Sequence, residues 1–370
     1  MIKIKNFIKN EAVLCIAAVC TVISAFFSPP SLDYFGYIDW RVLSLLFCLM
    51  AVVAGLKKCG FFSSVGAKML KGKKSLGFVS LLLVWLPFFA SMLITNDVSL
   101  IVFVPFAVMI LGNLKEKKYL MRVVVMQTIA ANLGSMATPV GNPQNLFIYS
   151  AFEPDSLEFI MTLLPVVIAS FVLVTVTTYF LCKGDGQQVT FDDETHCNKL
   201  SGWLYFLLFV LCLLAVFRVV HYLIILGVVT FFLIAYDRRI LLDIDYFLLL
   251  TFVCFFIFAE NIGNIHQVSQ FLGNLMSISP FFTSAGASQI ISNVPSAVLL
   301  AGFTDNWRAL LLGTDIGGLG TVVASLASLI SLKLYIKTEG AQTGKYFILF
   351  TILNFLFLAI FCVGAVLFLL

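Results

Sequence analysis

Two acidic residues stand where an apolar chain has least use for them: Asp97 in SMLITNDVSLIVFVPF and Asp315 in LGTDIGGLGTVVASL. An ionised carboxylate at the centre of a membrane helix costs about 2.5–3.5 kcal/mol on insertion scales, so something must offset it. A bound cation or a transported proton would do so; the alternative is a structural aspartate capping a half-helix. Thr95, Asn96 and Ser99 flank Asp97, and ANLGSMATPVGNPQNL follows with Asn132, Gly134, Ser135, Thr138, Gly141, Asn142 and Asn145. In the second half QIISNVPSAVLL places Ser292, Asn293 and Ser296 ahead of Asp315, Gly317, Gly318, Gly320 and Thr321. Glycine lets backbone approach closely, while Pro139 and Pro143 keep a helix from closing, so N–H and C=O groups are left free. Helix N-termini at such breaks suit an anion. Carbonyls with Asn, Ser and Thr oxygens suit sodium, for which Asn96, Asp97, Asn132, Asn293 and Asp315 are the candidate ligands. These nineteen positions are read as a substrate and ion site, with no catalytic residue among them.

The elements that position them belong in a membrane. The chain has 370 residues, 61% hydrophobic, 14% aromatic and 11% charged, with a mean hydropathy of +1.05. No water-soluble domain has that composition. The net charge of +4 comes from lysines in short stretches between apolar runs, where they orient helices, so nucleic acid is not an expected partner. The cysteines lie mostly inside apolar runs without C-x-x-C spacing, and His196, His221 and His266 are scattered. Neither disulfides nor a metal cluster is expected, and no cofactor beyond bound Na+. The N-terminus has the basic-then-apolar order of a signal peptide, but bulky residues from Phe26 to Pro30 occupy the cleavage region, so a retained first helix is expected.

Runs near the length of a bilayer-crossing helix occur at 11–28, 40–56, 159–182, 201–217, 221–236, 246–262 and 346–369. Four irregular stretches, 76–112, 122–150, 268–303 and 309–336, hold the polar motifs. Lys3, Lys5 and Lys9, the lysines of 57–74, and Lys115, Lys117, Lys118 and Arg122 mark cytoplasmic segments. Segments 28–39 and 151–158, the latter with Glu153, Asp155 and Glu158 and no base, face outward. Loop 237–245 is expected inside, and Arg218 and Arg308 fall at outer boundaries, where snorkelling is the ordinary role. Stretch 76–112 then enters and leaves on one side, a re-entrant hairpin turning at Thr95-Asn96-Asp97.

Aligning ITNDVS with ISNVPS superposes Thr95 on Ser292, Asn96 on Asn293 and Ser99 on Ser296, an offset of 197. The later breaks superpose Asn132 on Asp315, Gly134 on Gly317 and Thr138 on Thr321, an offset of 183. Counting spans makes the two copies opposite in sense. The expected fold is therefore an all-α polytopic membrane protein of inverted repeats, each with a re-entrant hairpin and a broken transmembrane helix. Residues 1–182 form the first repeat (hairpin 76–112, broken helix 122–150), 183–218 a loop and linker helix, and 219–370 the second (hairpin 268–303, broken helix 309–336). The N-terminus is cytoplasmic and the C-terminus outside.

These paired motifs resemble the ion transporter superfamily, which includes divalent-anion/sodium symporters, citrate permeases and arsenite permeases. ITNDVSLIVFVPF, SNVPSAVL and LGTDIGGLGTVVASLASL look most like arsenite permeases and their uncharacterised relatives. ANLGSMATPVGNPQN is similar to a wider superfamily pattern, with Ser135 in place of its second glycine. The symporters carry Ser-Asn-Thr at both hairpin tips, whereas this chain has Thr95-Asn96-Asp97 and Ser292-Asn293-Val294. The resemblance implies a homodimer with a scaffold, a moving transport part and elevator-like alternating access in a cell membrane. The expected function is secondary active transport of a small anion or oxyanion-type solute coupled to H+ or Na+. A cation/proton antiporter is the alternative within transport. An intramembrane enzyme fares poorly: the chain has no HExxH and no GxSxG.

Overall fold

The computed structural model describes residues 11–112, 116–183, 188–191 and 198–369. Lys3, Lys5, Lys9, Lys115, the acidic stretch Asp192, Asp193 and Glu194, and His196 lie outside the described residues. The first half runs α1 (Ala12–Ala25), α2 (Tyr34–Tyr37), α3 (Trp40–Lys58), α4 (Phe61–Leu70), strand β1 (Gly72–Ser75), α5 (Leu76–Ala90), α6 (Asn96–Leu111), α7 (Lys118–Ser135), α8 (Pro143–Ala151) and α9 (Ser156–Cys182). Strand β2 (Gln188–Phe191) and α10 (Lys199–Val216) lead to the second half. It runs α11 (Tyr222–Tyr236), a 3₁₀ turn (Arg238–Leu242), α12 (Tyr246–Gly263), α13 (His266–Ile278), α14 (Pro280–Ile291), α15 (Asn293–Ala301), α16 (Trp307–Ile316), α17 (Leu326–Ile336) and α18 (Thr343–Phe368).

Five of these helices, α3, α9, α10, α12 and α18, are long and apolar enough to cross a membrane. The chain is an all-α polytopic membrane protein, and β1 and β2 form a two-stranded antiparallel ribbon with Gly72 opposite Phe191. Many acids outside the apolar runs serve as caps. Asp39 accepts from the Val42 N–H at 2.9 Å, Asp155 from Leu157 and Asp245 from Leu248, each satisfying a donor that a helix start leaves free.

One order of elements occurs twice: a long helix, a short one, two arms in contact, an interrupted helix and a long helix. It is α3 to α9 in the first half and α12 to α18 in the second. The short helices α4 and α13 were not expected. α4 begins after Gly60 at φ 79, a left-handed residue that lets α3 end and the chain turn. The stretch 268–303, read from sequence as one hairpin, is three helices. Ser279 caps α14 by accepting from the Phe282 N–H, and Pro280 occupies its first position, so α13 cannot continue through.

The interrupted helices are the most enclosed. In α7 every side chain except Lys118 and Arg122 is buried, and in α16 every one except Trp307 and Arg308. The long spans α9, α12 and α18 bury only a minority of theirs and keep apolar faces outward, as lipid-facing helices do.

Candidate functional site

Both interruptions sit at polar sequence and are held open by side chains. α7 ends at Ser135, and α8 starts at Pro143 with Asn142 as its cap, accepting from the Asn145 N–H at 2.8 Å. α16 ends at Ile316 and α17 starts after Ser325. Gly134 and Gly317 are required by closeness. A Cβ on Gly134 would stand 2.1 Å from the Phe88 carbonyl oxygen and 2.7 Å from Ser91 Oγ; one on Gly317 would stand 2.8 Å from Ala285 Cα and 2.9 Å from Ser288 Cβ. Phe88 and Ala285 are 197 positions apart, as are Ser91 and Ser288.

Other contacts repeat at the same offsets. The Asn96 N–H donates to the Gly141 carbonyl at 3.1 Å and the Asn293 N–H to that of Ala324 at 3.0 Å. The Thr138 hydroxyl donates to the Met92 carbonyl and that of Thr321 to the Gln289 carbonyl. Each hairpin tip is thus stitched to the break of its own half. Across the halves, Asn142 Nδ2 donates to Asp315 Oδ1 at 3.2 Å and Ser325 Oγ to Asn132 Oδ1 at 3.0 Å. The second arm of each hairpin also packs on the last half-helix of the other half, α6 on α17 and α15 on α8.

The residues singled out from sequence converge, with different duties. Asn96 Nδ2 donates to Asn132 Oδ1 at 2.9 Å. Ser135 accepts from Asn142 Nδ2 at 3.3 Å, while Ser99 and Ser296 donate within their hairpins, to the carbonyls of Pro87 and Ser292. Thr138 and Thr321 are clips between tip and break, and Asn145 Nδ2 fixes the loop of the first break by donating to the carbonyls of Met136 and Thr138. Gly141 lies against Ser135 and Ser91 backbone, Gly318 against the Asn293 amide, and Gly320, at φ 102, against Gln289. Asn293 uses Oδ1 to accept from the Val294 N–H at 3.0 Å. Ser292, buried at the second tip, adopts φ 76 and ψ 156, whereas Thr95 at the matching place has φ −62 and ψ 148.

Three functional positions escaped the sequence reading. Gln289 Nε2 donates to the carbonyls of Gly317 at 2.7 Å and Leu319 at 2.9 Å, and its Oε1 accepts from the Thr321 N–H. Gln144 Nε2 donates to Asp315 Oδ1 at 3.2 Å. Ser325 matches Asn142 in the other half. The 183-position offset points to Ser325; for the glutamines nothing local in the sequence does.

Thr95, Asp97 and Val98, at the start of α6, line a cavity of about 530 Å³ together with Pro143 at the start of α8. Asp97 accepts no hydrogen bond through its carboxylate among the described residues. Leu46, Met50 and Ala54 of α3 form an apolar wall, and Lys57, Lys58, Asp243 and Asp245 stand around the same cavity. Lys58 pairs with Asp237 at 2.7 Å. Beside them Glu11 is pushed above the ordinary carboxylate range, first by burial and then by the charge of Asp245, with Lys333 opposing. The starts of two helices and a carboxylate therefore border one cavity, mainly apolar in lining with charged groups at its edge.

A protein-family model described as a citrate transporter, CitMHS, matches residues 1–306. An uncharacterized transporter of Methanocaldococcus jannaschii is 32% identical over 321 residues, covering 86% of this chain and 87% of its own. The inner membrane protein YbiR of Escherichia coli is 29% identical over 304 residues, 80% of each chain. A silicon efflux transporter of Oryza sativa is 34% identical over 141 residues, 37% of this chain and 28% of its own. The match over most of the chain falls within the superfamily to which the hairpin and break motifs point: this chain belongs to the citrate-transporter family of membrane transporters.

Proposed function

We propose that the chain is a secondary active transporter of a small anion or oxyanion-type solute, coupled to H+ or Na+ and working by elevator-like alternating access. The observation that carries this reading is the cavity at Asp97, where the N-termini of α6 and α8 meet. The partial positive charge of helix starts favours negative charge, and half-helix ends around a central cavity are how broken-helix transporters hold an anion. The matched contacts of the two halves support a pair of repeats, an arrangement on which alternating access is commonly built. Lysines and acids of the expected cytoplasmic loops stand around the cavity, so this conformation opens inward.

Two of the relatives' descriptions are in keeping with this solute class. The family model is described as a citrate transporter and one partial relative as a silicon efflux transporter. The protein would work as a homodimer in the plasma or inner membrane, with its N-terminus cytoplasmic and C-terminus outside, and without a cofactor other than bound Na+. A second reading, cation/proton antiport, is favoured by Asp97 itself, a carboxylate in the cavity without a hydrogen-bond donor.

Proteoliposomes with an imposed pH or sodium gradient test both readings against a panel of citrate, shorter dicarboxylates, arsenite, silicic acid and alkali cations. Anion or oxyacid movement that follows the gradient, and fails in Asp97→Asn, is the expected result. Sodium or potassium exchange for protons with no solute dependence would replace it with antiport.

A further inference from the structure

The second hairpin tip borders a cavity of its own. About 240 Å³ in volume, it lies between α1 and α12 on one side and the tip, α15 and the loop of the second break on the other. Its lining repeats that of a pocket of about 20 Å³ in the first half. Ile290, Ile291, Ser292 and Pro295 stand where that pocket has Leu93, Ile94, Thr95 and Val98, and Val323 stands where it has Val140. The offsets are those of the paired motifs, 197 for the hairpins and 183 for the breaks. In the first half Leu46, Leu49, Met50 and Val53 of α3 close the space. In the second, α1 comes in over it and presents Ala17 and Cys20, small side chains that leave it open.

The two places also differ in chemistry. The first-half pocket adjoins the solute cavity through Thr95 and Val98, and Asp97 stands there; the residue matching Asp97 is Val294. Among the described residues the second cavity is lined by no charged side chain and by one hydroxyl, that of Ser292, which is 3% exposed and already donates to the Ala324 carbonyl. A hydrated solute finds nothing there to replace its water, whereas apolar cavities stay dry and take up apolar molecules. The rim lies at the surface, with Ile16 64% and Ile290 77% exposed. Along α1 Ile16 continues into the exposed Val19 and Ile23 at the spacing of one helix face. The opening is thus continuous with an outward apolar face, and in a bilayer that face meets hydrocarbon.

We propose that the acyl chain of a bilayer phospholipid enters this cavity and packs beside the second hairpin tip. The chain fills the gap between the strained turn at Ser292 and the α1–α12 pair, which is joined where the Thr21 hydroxyl donates to the Cys254 carbonyl at 2.8 Å. One tip is steadied by lipid and the other is left to solute. The site does not depend on which solute the protein carries.

Proteoliposomes of phosphatidylethanolamine and phosphatidylglycerol, doped with a phosphatidylcholine bearing a diazirine near the end of one acyl chain, test this by photolysis and peptide mapping. Adducts on Cys20, Phe258 and Leu299, inside the cavity, are expected beside those on the exposed Val172 and Val176 of α9. Cys20→Phe and Leu299→Phe each narrow the cavity. Each is expected to lower the adducts on the other two cavity positions several-fold and to leave those on α9 unchanged, which also shows that the variant still spans the bilayer. Adducts on α9 with none in the cavity overturn the site. So does a cavity yield that neither variant lowers, because the label then reports ordinary contact with the surrounding bilayer. Disulfide-linked dimers of Ile290→Cys in the cysteine-free protein would assign the opening to a contact between copies and overturn it as well.

Discussion

At the scale of single residues, the site depends as much on missing side chains as on polar ones. Gly134 and Gly317 let an interrupted helix lie directly on the first arm of its hairpin, where an added methyl would meet the Phe88 carbonyl oxygen at 2.1 Å or Ala285 Cα at 2.8 Å. Backbone cannot yield as a flexible side chain can. Gly134→Ala and Gly317→Ala are each expected to cost about 1–3 kcal/mol through overpacking, and to lower the melting temperature in detergent. Gly286, on the same arm as Ala285 and Ser288, meets nothing within 4 Å. Gly286→Ala should therefore leave the melting temperature unchanged or slightly higher, since alanine is the better helix former. Equal loss in all three variants would show that general helix perturbation, not close approach, governs the effect.

At the scale of elements, the two hairpin tips are matched in contacts but not in conformation. Ser292 joins α14 to α15 at φ 76 and ψ 156, a region that is almost the preserve of glycine, and such backbone costs about 1–3 kcal/mol. Contacts hold it there: its N–H donates to the Ser288 carbonyl and its hydroxyl to that of Ala324. Ser292→Gly should relieve the strain and raise the unfolding temperature, whereas Thr95→Gly, at φ −62, should lower it by loosening the unfolded chain. A fall in both would mean that the Ser292 hydroxyl contributes more than its backbone costs. The contrast also marks what sequence can convey. Asn, Gly, Pro and Asp in apolar runs announced both breaks, because nothing but a backbone interruption needs those residues together. The division between α13 and α14 was signalled by Ser279-Pro280 and passed over inside a long apolar stretch. Gln289 and Gln144 look like ordinary polar residues, since their worth lies in partners brought close only by the fold, Gln144 acting on a carboxylate 171 positions away.

At the scale of the whole molecule, the cavity and the Arg41–Glu153–Arg218 cluster lie toward opposite ends of α8. Asp97 faces the cavity bordered by Lys57 and Asp243. At the other end of α8 the Arg218 guanidinium donates to the Tyr149 carbonyl at 2.7 Å and stacks on its ring. Glu153 lies 3.8 Å from Arg218 and 3.6 Å from Arg41 at the start of α3, so the cluster ties α8 to both α3 and α10. Each pair is partly exposed and worth roughly 0.2–1 kcal/mol, too little to hold a fold but enough to bias two conformations close in energy. If α8 moves past α3 and α10 during transport, these contacts must break, and weakening them should favour the outward-open form. A cysteine-free protein carrying Asp97→Cys reports this through a membrane-impermeant thiol reagent. Labelling is expected from the cytoplasmic face alone, with Arg218→Gln adding labelling from outside by a few-fold, the population change that losing about 1 kcal/mol produces. Labelling of the parent only from outside would reverse the assigned orientation. Unchanged outside labelling in Arg218→Gln would reduce the cluster to an end cap on α8, and the barrier to alternation would have to lie in the contacts of α6 with α17 and α15 with α8, which join the two halves at the site itself.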